Sequence, residues 1–164
     1  ASKAAADMFI LAWARTYDMR YIILRPTNNY GIGQYPEKLI PIAVKMLQRN
    51  KKIRLHDEGE PVRNWLHADD TASAVVSIIE SGNYNEIYNV EQKNKHTVEK
   101  IVHCFHGDNA NYKDYVDLGH KREGQDVRYA LNDDKLRALG WEPKKVFNDE
   151  LPEIVEFYKQ NFKW

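Results

Sequence analysis

Hydrophobic residues along the chain follow helical spacing in some segments and form short continuous runs in others. From Ser2 to Tyr17 the residues favour a helix, and Asp7 is the only polar side chain between Ala4 and Ala14. A helix that is apolar nearly all round has to be covered on every side. The run from Tyr21 to Leu24, ended by Pro26, is typical of a strand buried on both faces of a parallel sheet.

Five further helices are predicted from apolar residues at helical spacing and from residues that cap helix termini. They begin at or after Pro36, Asp69 or Asp70, Thr97, Asn132 and Asn148. The first extends to Asn50. In the second, Ala72, Val75, Val76 and Ile79 are expected to face inward until Gly82 ends the helix. The fourth is closed by Gly140.

Three more strands are predicted between these helices. Ile53–His56 and Val62–Leu66 flank a segment of turn composition and are expected to form a hairpin or a pair of edge strands. Ile87–Val90 is expected to be a buried strand. Thr27–Tyr35 is interpreted as a loop, and 107–130 as the least regular part of the chain. The alternation of helices and strands predicts one α/β unit without repeats.

Charge and cysteine content narrow the classes of function. The 164 residues carry 24 Lys and Arg against 24 Asp and Glu, so the formal net charge is zero. A polyanionic partner such as nucleic acid, or an acidic membrane surface, is therefore disfavoured. Cys104 is the only cysteine, and no apolar stretch approaches the roughly 20 residues of a membrane span. We expect a reduced, cytoplasmic setting.

Two amide side chains mark the first candidate binding segment. In open parallel sheets, ligands bind beyond the carboxyl ends of the strands, where Asn28 and Asn29 follow the first strand. Adjacent amides can hold a polyhydroxylated ligand, although Asn and Gly are also common in simple turns. Gly31 and Gly33 resemble the start of a dinucleotide fingerprint, but Pro36 and the missing preceding strand argue against a phosphate cradle.

Other polar clusters have weaker support. His103 and His106 share a helix face, but Cys104 points elsewhere and no second ligand group has suitable spacing, so no metal site is predicted. Basic residues near the predicted element ends could meet a diphosphate, which Arg binds in a bidentate manner. They are Lys38, Arg54, Arg63, Arg122 and Arg128.

Several motifs together resemble the C-terminal half of a known family. They are Ser2-Lys3, Asn28-Asn29-Tyr30-Gly31, Pro36-Glu37-Lys38-Leu39-Ile40-Pro41, Val62-Arg63-Asn64-Trp65-Leu66-His67, Asp69-Asp70, Tyr88-Asn89, Arg128-Tyr129-Ala130 and Leu139-Gly140-Trp141. In this order, along nearly the whole chain, they resemble the nucleotide-sugar 4,6-dehydratases of the extended short-chain dehydrogenase/reductase family. The resemblance is greatest to members that act on dTDP-glucose.

This resemblance implies an NAD-dependent hydro-lyase that uses a Tyr-x-x-x-Lys motif. Lys3 matches the lysine, and the tyrosine would lie two positions before Ala1. The lysine would hold the nicotinamide ribose and lower the pKa of the tyrosine, which would act as a base. The Gly-rich NAD motif belongs to the other half of the family's chain, so the isolated chain is expected to be inactive.

The resemblance also implies a division of the chain. Residues 1–31 would end the NAD-binding Rossmann domain with its last helix and parallel strands. Residues 32–164 would form mainly a mixed α/β region that binds the nucleotide-sugar, and 62–90 would return to the Rossmann sheet. The helix from Ala1 to Tyr17 would pair with its twin in a homodimer of the full-length protein.

The family's site residues carry over position by position. Lys3 would be catalytic and would bind the cofactor, as would Asn29 beside the nicotinamide. Arg63 would bind the diphosphate. The remaining substrate contacts would be Asn28, Lys38, Leu39, Arg54, Leu55, His56, Asn89, Arg122, Gly124 and Asp126.

Two departures from the family's pattern lie at the nucleotide end. Arg54, Leu55 and His56 stand where the family commonly has Pro-Ile-Tyr, and the segment 121–126 retains only the family's Arg, Gly and final Asp. The base therefore stays open between dTDP and UDP. Alternatives on the same scaffold are a UDP-glucose 4,6-dehydratase, a UDP-glucuronate decarboxylase and an epimerase; an alternative of another class is a noncatalytic nucleotide-sugar-binding domain. The family's role in carbohydrate metabolism includes rhamnose biosynthesis.

Overall fold

The computed structural model describes residues 1–57, 62–92, 97–121, 123–124 and 128–161, with the backbone alone at Val62, Arg128 and Tyr129. Its six α-helices are α1 Ser2–Tyr17, α2 Leu39–Gln48, α3 Ala68–Ser81, α4 Thr97–His106, α5 Asp134–Arg137 and α6 Phe147–Asn161. Its eight strands are β1 Ile22–Pro26, β2 Asn28–Tyr30, β3 Ile53–His56, β4 Val62–Arg63, β5 Trp65–His67, β6 Glu86–Val90, β7 Val116–His120 and β8 Arg128–Tyr129. The fold class is α/β, as predicted.

Every strand pair in the described ranges is parallel. β1 pairs with β6, β2 with β5, β3 with β7, and β4 with β8. Parallel partners need long crossover connections, and this is why strands far apart in the sequence come together. The predicted hairpin between Ile53–His56 and Val62–Leu66 is therefore wrong, and the second run divides into two strands at Asn64.

Two apolar cores lie on either side of β5. Trp65 belongs to the larger core, which α2, α4 and α6 cover together with Ile53 and Val116. Leu66 belongs to the smaller core, which contains residues of α3, β6 and α5 and also Trp141. Successive side chains of a strand point to opposite faces, so one short strand serves both cores.

The rotation of α3 differs from the prediction. The residues of α3 that are buried are Asp70, Ala74 and Ile78, spaced four apart along one face. Val75, Val76 and Ile79 are exposed, and so is Ala72. The Asp70 carboxylate accepts hydrogen bonds from the backbone N–H groups of Lys144 and Lys145, at 2.9 and 3.0 Å. These bonds favour the burial of the α3 face that carries Asp70, Ala74 and Ile78, and the spacing of hydrophobic residues alone does not reveal such an interaction.

Local differences from the prediction have similar causes. His67 caps α3 through Nδ1, which accepts from the Asp69 N–H at 3.2 Å, so neither Asp69 nor Asp70 is the capping residue. The predicted loop Thr27–Tyr35 contains β2, and 107–130 contains a 3₁₀ turn, β7 and β8. These short segments form strands because they pair with distant strands, and their own sequences show little preference for a strand.

Other expected boundaries lie within a few residues of the observed ones. α2 begins at Leu39, so Pro36 lies in the preceding turn, and α6 begins at Phe147. The N-terminal capping position of α5 is Asp133 and not the predicted Asn132, although Asn132 Oδ1 accepts from the Asp134 N–H at 2.8 Å. α5 ends at Arg137. No residue of α1 is buried. An ion pair between Asp7 and Arg25, with 2.6 Å between Oδ2 and Nη2, joins α1 to β1. No helix in the described ranges is both long and apolar enough to cross a bilayer.

Candidate functional site

The amide-rich segment begins where the chain changes strand partners. The Thr27 N–H donates to the Val90 carbonyl at 2.9 Å, after which β2 pairs with β5 instead of β6. Such a divergence of neighbouring strands opens a crevice at their carboxyl ends, where ligands of open sheets bind. Asn28 is exposed there, whereas Asn29 is partly buried.

Asn29 is held by hydrogen bonds within the protein. Its Nδ2 donates to the Thr27 carbonyl at 3.2 Å, and its Oδ1 accepts from the Thr71 hydroxyl. Its backbone carbonyl accepts from Gln34 Nε2 at 2.9 Å. The Asn29 amide is thus oriented in advance, and Asn28 is the more accessible of the two amides.

A tyrosine from α6 fixes the glycine-containing loop that follows. The Tyr158 hydroxyl accepts from the Gln34 N–H at 2.6 Å and lies 3.1 Å from the Gly31 carbonyl, to which it can donate. Gly33 has φ +80°, a conformation that favours glycine. Burial raises the pKa of Tyr158, so the hydroxyl keeps its proton near neutral pH. The helical spacing indicated only a core role for Tyr158, so this contact was not predicted.

Lys38 and Leu39 lie at the beginning of α2. Lys38 is the N-terminal capping residue, and its exposed Nζ lies 3.0 Å from Glu37 Oε1. An exposed ion pair of this kind contributes little stability, so Lys38 can exchange Glu37 for a ligand anion at small cost. Leu39 packs against the larger core.

The predicted base-flanking residues lie on β3, paired with β7. Arg54 is opposite Asp117, and His56 is opposite His120, while Leu55 packs against the larger core. Asp117 Oδ2 lies 3.1 Å from His120 Nε2. The pKa of Asp117 is lowered most by the hydrogen bond from the Gly119 N–H and next by the hydrogen bond from His120, while the charge of Arg54 contributes less. Asp117 and His120 thus add polar groups beside Arg54 and His56, and the sequence did not single them out.

Arg63 and Asn89 flank a buried pair of polar residues, Asn64 and Glu91. Asn64 Nδ2 donates to Glu91 Oε1, and Glu91 Oε2 accepts from the Leu131 N–H at 3.0 Å. Arg63 directly precedes Asn64, and Asn89 lies two positions before Glu91. The bonded pair Asn64–Glu91 therefore lies close in the chain to each of these two predicted substrate residues. Glu91 and Asn64 were not predicted, although an acidic residue directly after an apolar strand was a visible signal.

Two further predicted site residues, Lys3 and Gly124, are exposed. Lys3 is exposed in the first turn of α1, and Gly124 has φ +69° in an exposed segment. Arg122 and Asp126 lie outside the described residues. In the ranges that the structure describes, no three His, Cys, Asp or Glu side chains are grouped so that they could hold a metal ion.

Comparison with solved structures defines the class of protein. The chain superposes on a dTDP-glucose 4,6-dehydratase from Bacillus anthracis in complex with NAD, with a TM-score of 0.85 and 39% sequence identity. The superposition covers 98% of this chain and 51% of that chain. It also superposes on a dTDP-glucose 4,6-dehydratase from Streptomyces venezuelae with NAD and TDP bound, with a TM-score of 0.86 and 34% sequence identity. That superposition covers 98% of this chain and 50% of the other. The class is the extended Rossmann-like short-chain dehydrogenase/reductase fold.

The family follows from the sequence comparison. The NAD-dependent epimerase/dehydratase family matches residues 1–90, and the chain belongs to this family. It is 34% identical to dTDP-glucose 4,6-dehydratase 1 of Escherichia coli K12 over 100% of this chain and 48% of the relative. The chain thus spans about half the length of the relatives that it matches.

Proposed function

We propose that the chain is the nucleotide-sugar-binding C-terminal portion of an NAD-dependent dTDP-glucose 4,6-dehydratase. The observation that carries this proposal is the 39% identity to the Bacillus anthracis dehydratase over 98% of the chain, with a TM-score of 0.85. The whole enzyme would be a hydro-lyase that converts dTDP-glucose to dTDP-4-keto-6-deoxyglucose and water.

The proposed reaction oxidises C4 of the hexose, eliminates water across C5 and C6, and returns the hydride to C6 while C5 regains a proton. NAD supplies the acceptor and donor of that hydride. In this chain, we assign Lys3 and Asn29 to the cofactor. Lys3 offers an exposed ammonium and Asn29 an amide that Thr27 and Thr71 already orient, so both suit hydrogen bonding to the polar groups of a nicotinamide nucleotide.

Arg63 is the proposed diphosphate ligand. A diphosphate carries about two negative charges, and the planar guanidinium of an arginine can bind its oxygens through two parallel hydrogen bonds. The position of Arg63 on β4, linked through Asn64 and Glu91 to β6, supports this role because a bidentate contact needs a fixed direction. Asn28 and Asn89 are the proposed contacts of the sugar.

The nucleotide base is proposed to lie against β3. Arg54, Leu55 and His56 occupy this strand, with Lys38 and Leu39 at the start of α2, an element that contacts β3. Arg122, Gly124 and Asp126 are the further proposed contacts of the nucleotide. Whether the base is thymine or uracil stays a prediction to be tested.

The test uses full-length protein. We expect turnover of dTDP-glucose to exceed turnover of UDP-glucose and UDP-glucuronate. Arg63→Ala should raise KM for the accepted substrate by about 10- to 100-fold, as expected for loss of a charge-assisted pair. Arg49→Ala, an exposed arginine at the end of α2, is the control and should leave KM within about twofold.

Other outcomes would select the alternatives. Turnover of only UDP-glucose or only UDP-glucuronate would indicate a dehydratase, epimerase or decarboxylase of UDP-sugars. Submicromolar affinity of the 164-residue chain for dTDP or UDP, measured by calorimetry, with no turnover by the full-length protein would indicate a noncatalytic binding module. Because the Gly-rich cradle is absent from this chain's sequence, stoichiometric NAD or product formation with the isolated chain would contradict its expected inactivity.

The assembly and setting of the full-length protein are also part of the proposal. We propose a homodimer through α1, in a cytoplasmic enzyme of carbohydrate metabolism such as rhamnose biosynthesis, with no nucleic acid or membrane partner. The apolar and exposed surface of α1 supports the homodimer.

A further inference from the structure

Glu91 is a buried carboxylate at the end of β6. Only 3% of the surface of Glu91 and 7% of the surface of Asn64 is exposed to solvent. One carboxylate oxygen accepts from Asn64 Nδ2, and the other accepts from the Leu131 N–H at 3.0 Å. Burying a carboxylate is costly unless hydrogen bonds satisfy it, so a glutamate at this position needs both partners in place.

Glu91 does not act alone in joining these segments. Asn89 lies two residues earlier, at the same-face spacing of a strand, and its Nδ2 donates to the Asn132 carbonyl at 2.9 Å. The two side chains therefore bond successive backbone groups at Leu131 and Asn132. They connect this segment to β6 with one donor and one acceptor, as a neighbouring strand would.

This segment leads back to Arg63. Leu131 and Asn132 follow β8, and β8 pairs with β4, where Arg63 is opposite Tyr129. Asn64, next to Arg63, donates to Glu91, and this bond completes a closed ring of contacts that runs from Arg63 through Tyr129, Leu131 and Glu91 back to Asn64. The backbone at Arg63 is thus fixed by the pairing with Tyr129 and by the adjacent Asn64, whose side chain is bonded to Glu91.

We propose that Glu91 is a positioning residue which, through Asn64, fixes the direction of Arg63 toward a nucleoside diphosphate. The proposal rests on the proposed function, because Arg63 meets a diphosphate only if the chain binds a nucleotide-sugar. Glu91 itself touches no ligand. Its effect should therefore be confined to the part of the ligand that Arg63 contacts.

An exchange of the two hydrogen-bonding groups tests this role. In Asn64→Asp, two carboxylates oppose each other in a buried place, so we expect the ring to open. In Glu91→Gln, the Asn64 amide can turn so that its oxygen accepts from Gln Nε2, while Gln Oε1 accepts from Leu131. In the double variant, the new carboxylate at 64 accepts from the new amide at 91, and the ring should close again.

The measurement is calorimetric binding of dTDP and of thymidine monophosphate to the full-length protein. We expect Asn64→Asp to lower the preference for dTDP over the monophosphate by about tenfold. Glu91→Gln and the double variant should keep the parent's preference within about threefold. A merely structural role would weaken both ligands equally. Glu86→Gln removes an exposed carboxylate of the same strand, paired with Lys135, and serves as the matched control.

The outcomes separate this proposal from the proposed function. If the parent protein binds neither dTDP nor UDP, the proposed function is overturned, and the role of Glu91 with it. If the parent binds dTDP but Asn64→Asp folds and keeps the full preference, the role of Glu91 alone is overturned. If Asn64→Asp does not fold, the double variant decides: a restored preference supports the role, and a folded double variant without it contradicts the role.

Discussion

The first and last helices have similar lengths, 16 and 15 residues, but differ in how much of their apolar surface is buried. α6 buries Leu151, Ile154, Val155 and Tyr158 in the larger core. α1 buries nothing, and Met8, Phe9 and Trp13 are exposed. The apolar content of a helix indicates that it needs to be covered. Only the packing around the helix shows whether other residues described by the structure cover it.

The pattern around each helix explains the difference. α6 has one apolar stripe and many charged residues, so a single contact surface satisfies it. α1 is apolar nearly all round, and such a helix needs neighbours on several sides. Its contact with β1 through Asp7 and Arg25 is polar and exposed. An exposed apolar patch of this kind is typical of an interface with further protein.

The largest expected effect is on assembly. In full-length protein, Met8→Asp combined with Leu11→Asp should convert the proposed dimer to a monomer, since two charges would enter an apolar helix pair. Light scattering measures the mass. Lys159→Asp, a charge change on α6, is the control and should leave the mass unchanged. An unaltered dimer mass in the double variant would count against the α1 interface.

The second effect is a difference in stability between identical substitutions. Ile154, 2% exposed, lies in α6, and Ile10, 38% exposed, lies in α1. In the 164-residue chain, Ile154→Ala should lower the free energy of unfolding by about 2–5 kcal/mol, and Ile10→Ala by less than about 1 kcal/mol. Urea unfolding checks this. Equal losses would mean that α1 is as well covered as α6.

The third effect concerns the polar contact that orients α3. Asp70→Ala would leave the N–H groups of Lys144 and Lys145 without their acceptor, and we expect a loss of about 2–3 kcal/mol. Asp69→Ala is the neighbouring control, because the Asp69 side chain is mostly exposed. Urea unfolding of both variants gives the measurement. If the two variants lose the same stability, the Asp70 bonds do not determine how α3 packs.

The smallest effect is a pH dependence that separates a buried tyrosine from an exposed one. Burial, together with the negative charges of Glu150 and Asp70, raises the pKa of Tyr30 above its usual value of 10.0. Above the unfolded pKa, the unfolded chain loses this proton and the folded chain keeps it. Stability from Tyr30 is therefore present below about pH 10 and falls as the pH rises, by up to about 1.4 kcal/mol per pH unit.

Tyrosine-to-phenylalanine variants isolate that dependence. Tyr30→Phe should make the free energy of unfolding fall less steeply between about pH 10 and 11, measured by urea unfolding at each pH. Tyr17→Phe, at an exposed position of α1, should keep the parent's slope. The attribution to Tyr30 would fail if its variant showed the same slope as the parent.

Much of the element pattern could be predicted because it depends on local spacing. α1, β1, β3, β6 and α4 lie close to their expected positions. β2 and β8 could not be predicted, since strands of two or three residues are assigned by distant partners. The face of α3 could not be predicted either, because the carboxylate of Asp70 finds its donors 74 and 75 residues away.

The candidate site shows the same division. Residue motifs suggested Asn28, Lys38, Arg63 and Asn89 through a family resemblance, and their roles remain predictions. Asn64 lies within one of those motifs and Glu91 follows an apolar strand, but their interaction became visible only when folding brought residues 64, 91 and 131 together. A residue that supports another acts through contacts, and contacts between distant positions leave little trace in a single sequence.

The sequence by itself determined the class of fold, the position of most helices and strands, and the family to which the chain belongs. These properties follow from periodicity and from residues that lie close together along the chain. Only the tertiary structure decided which strands pair, which face of α3 turns inward, and how Glu91 joins three segments. Those outcomes depend on parallel crossovers and on buried polar groups finding partners, and both are interactions between residues far apart in the chain.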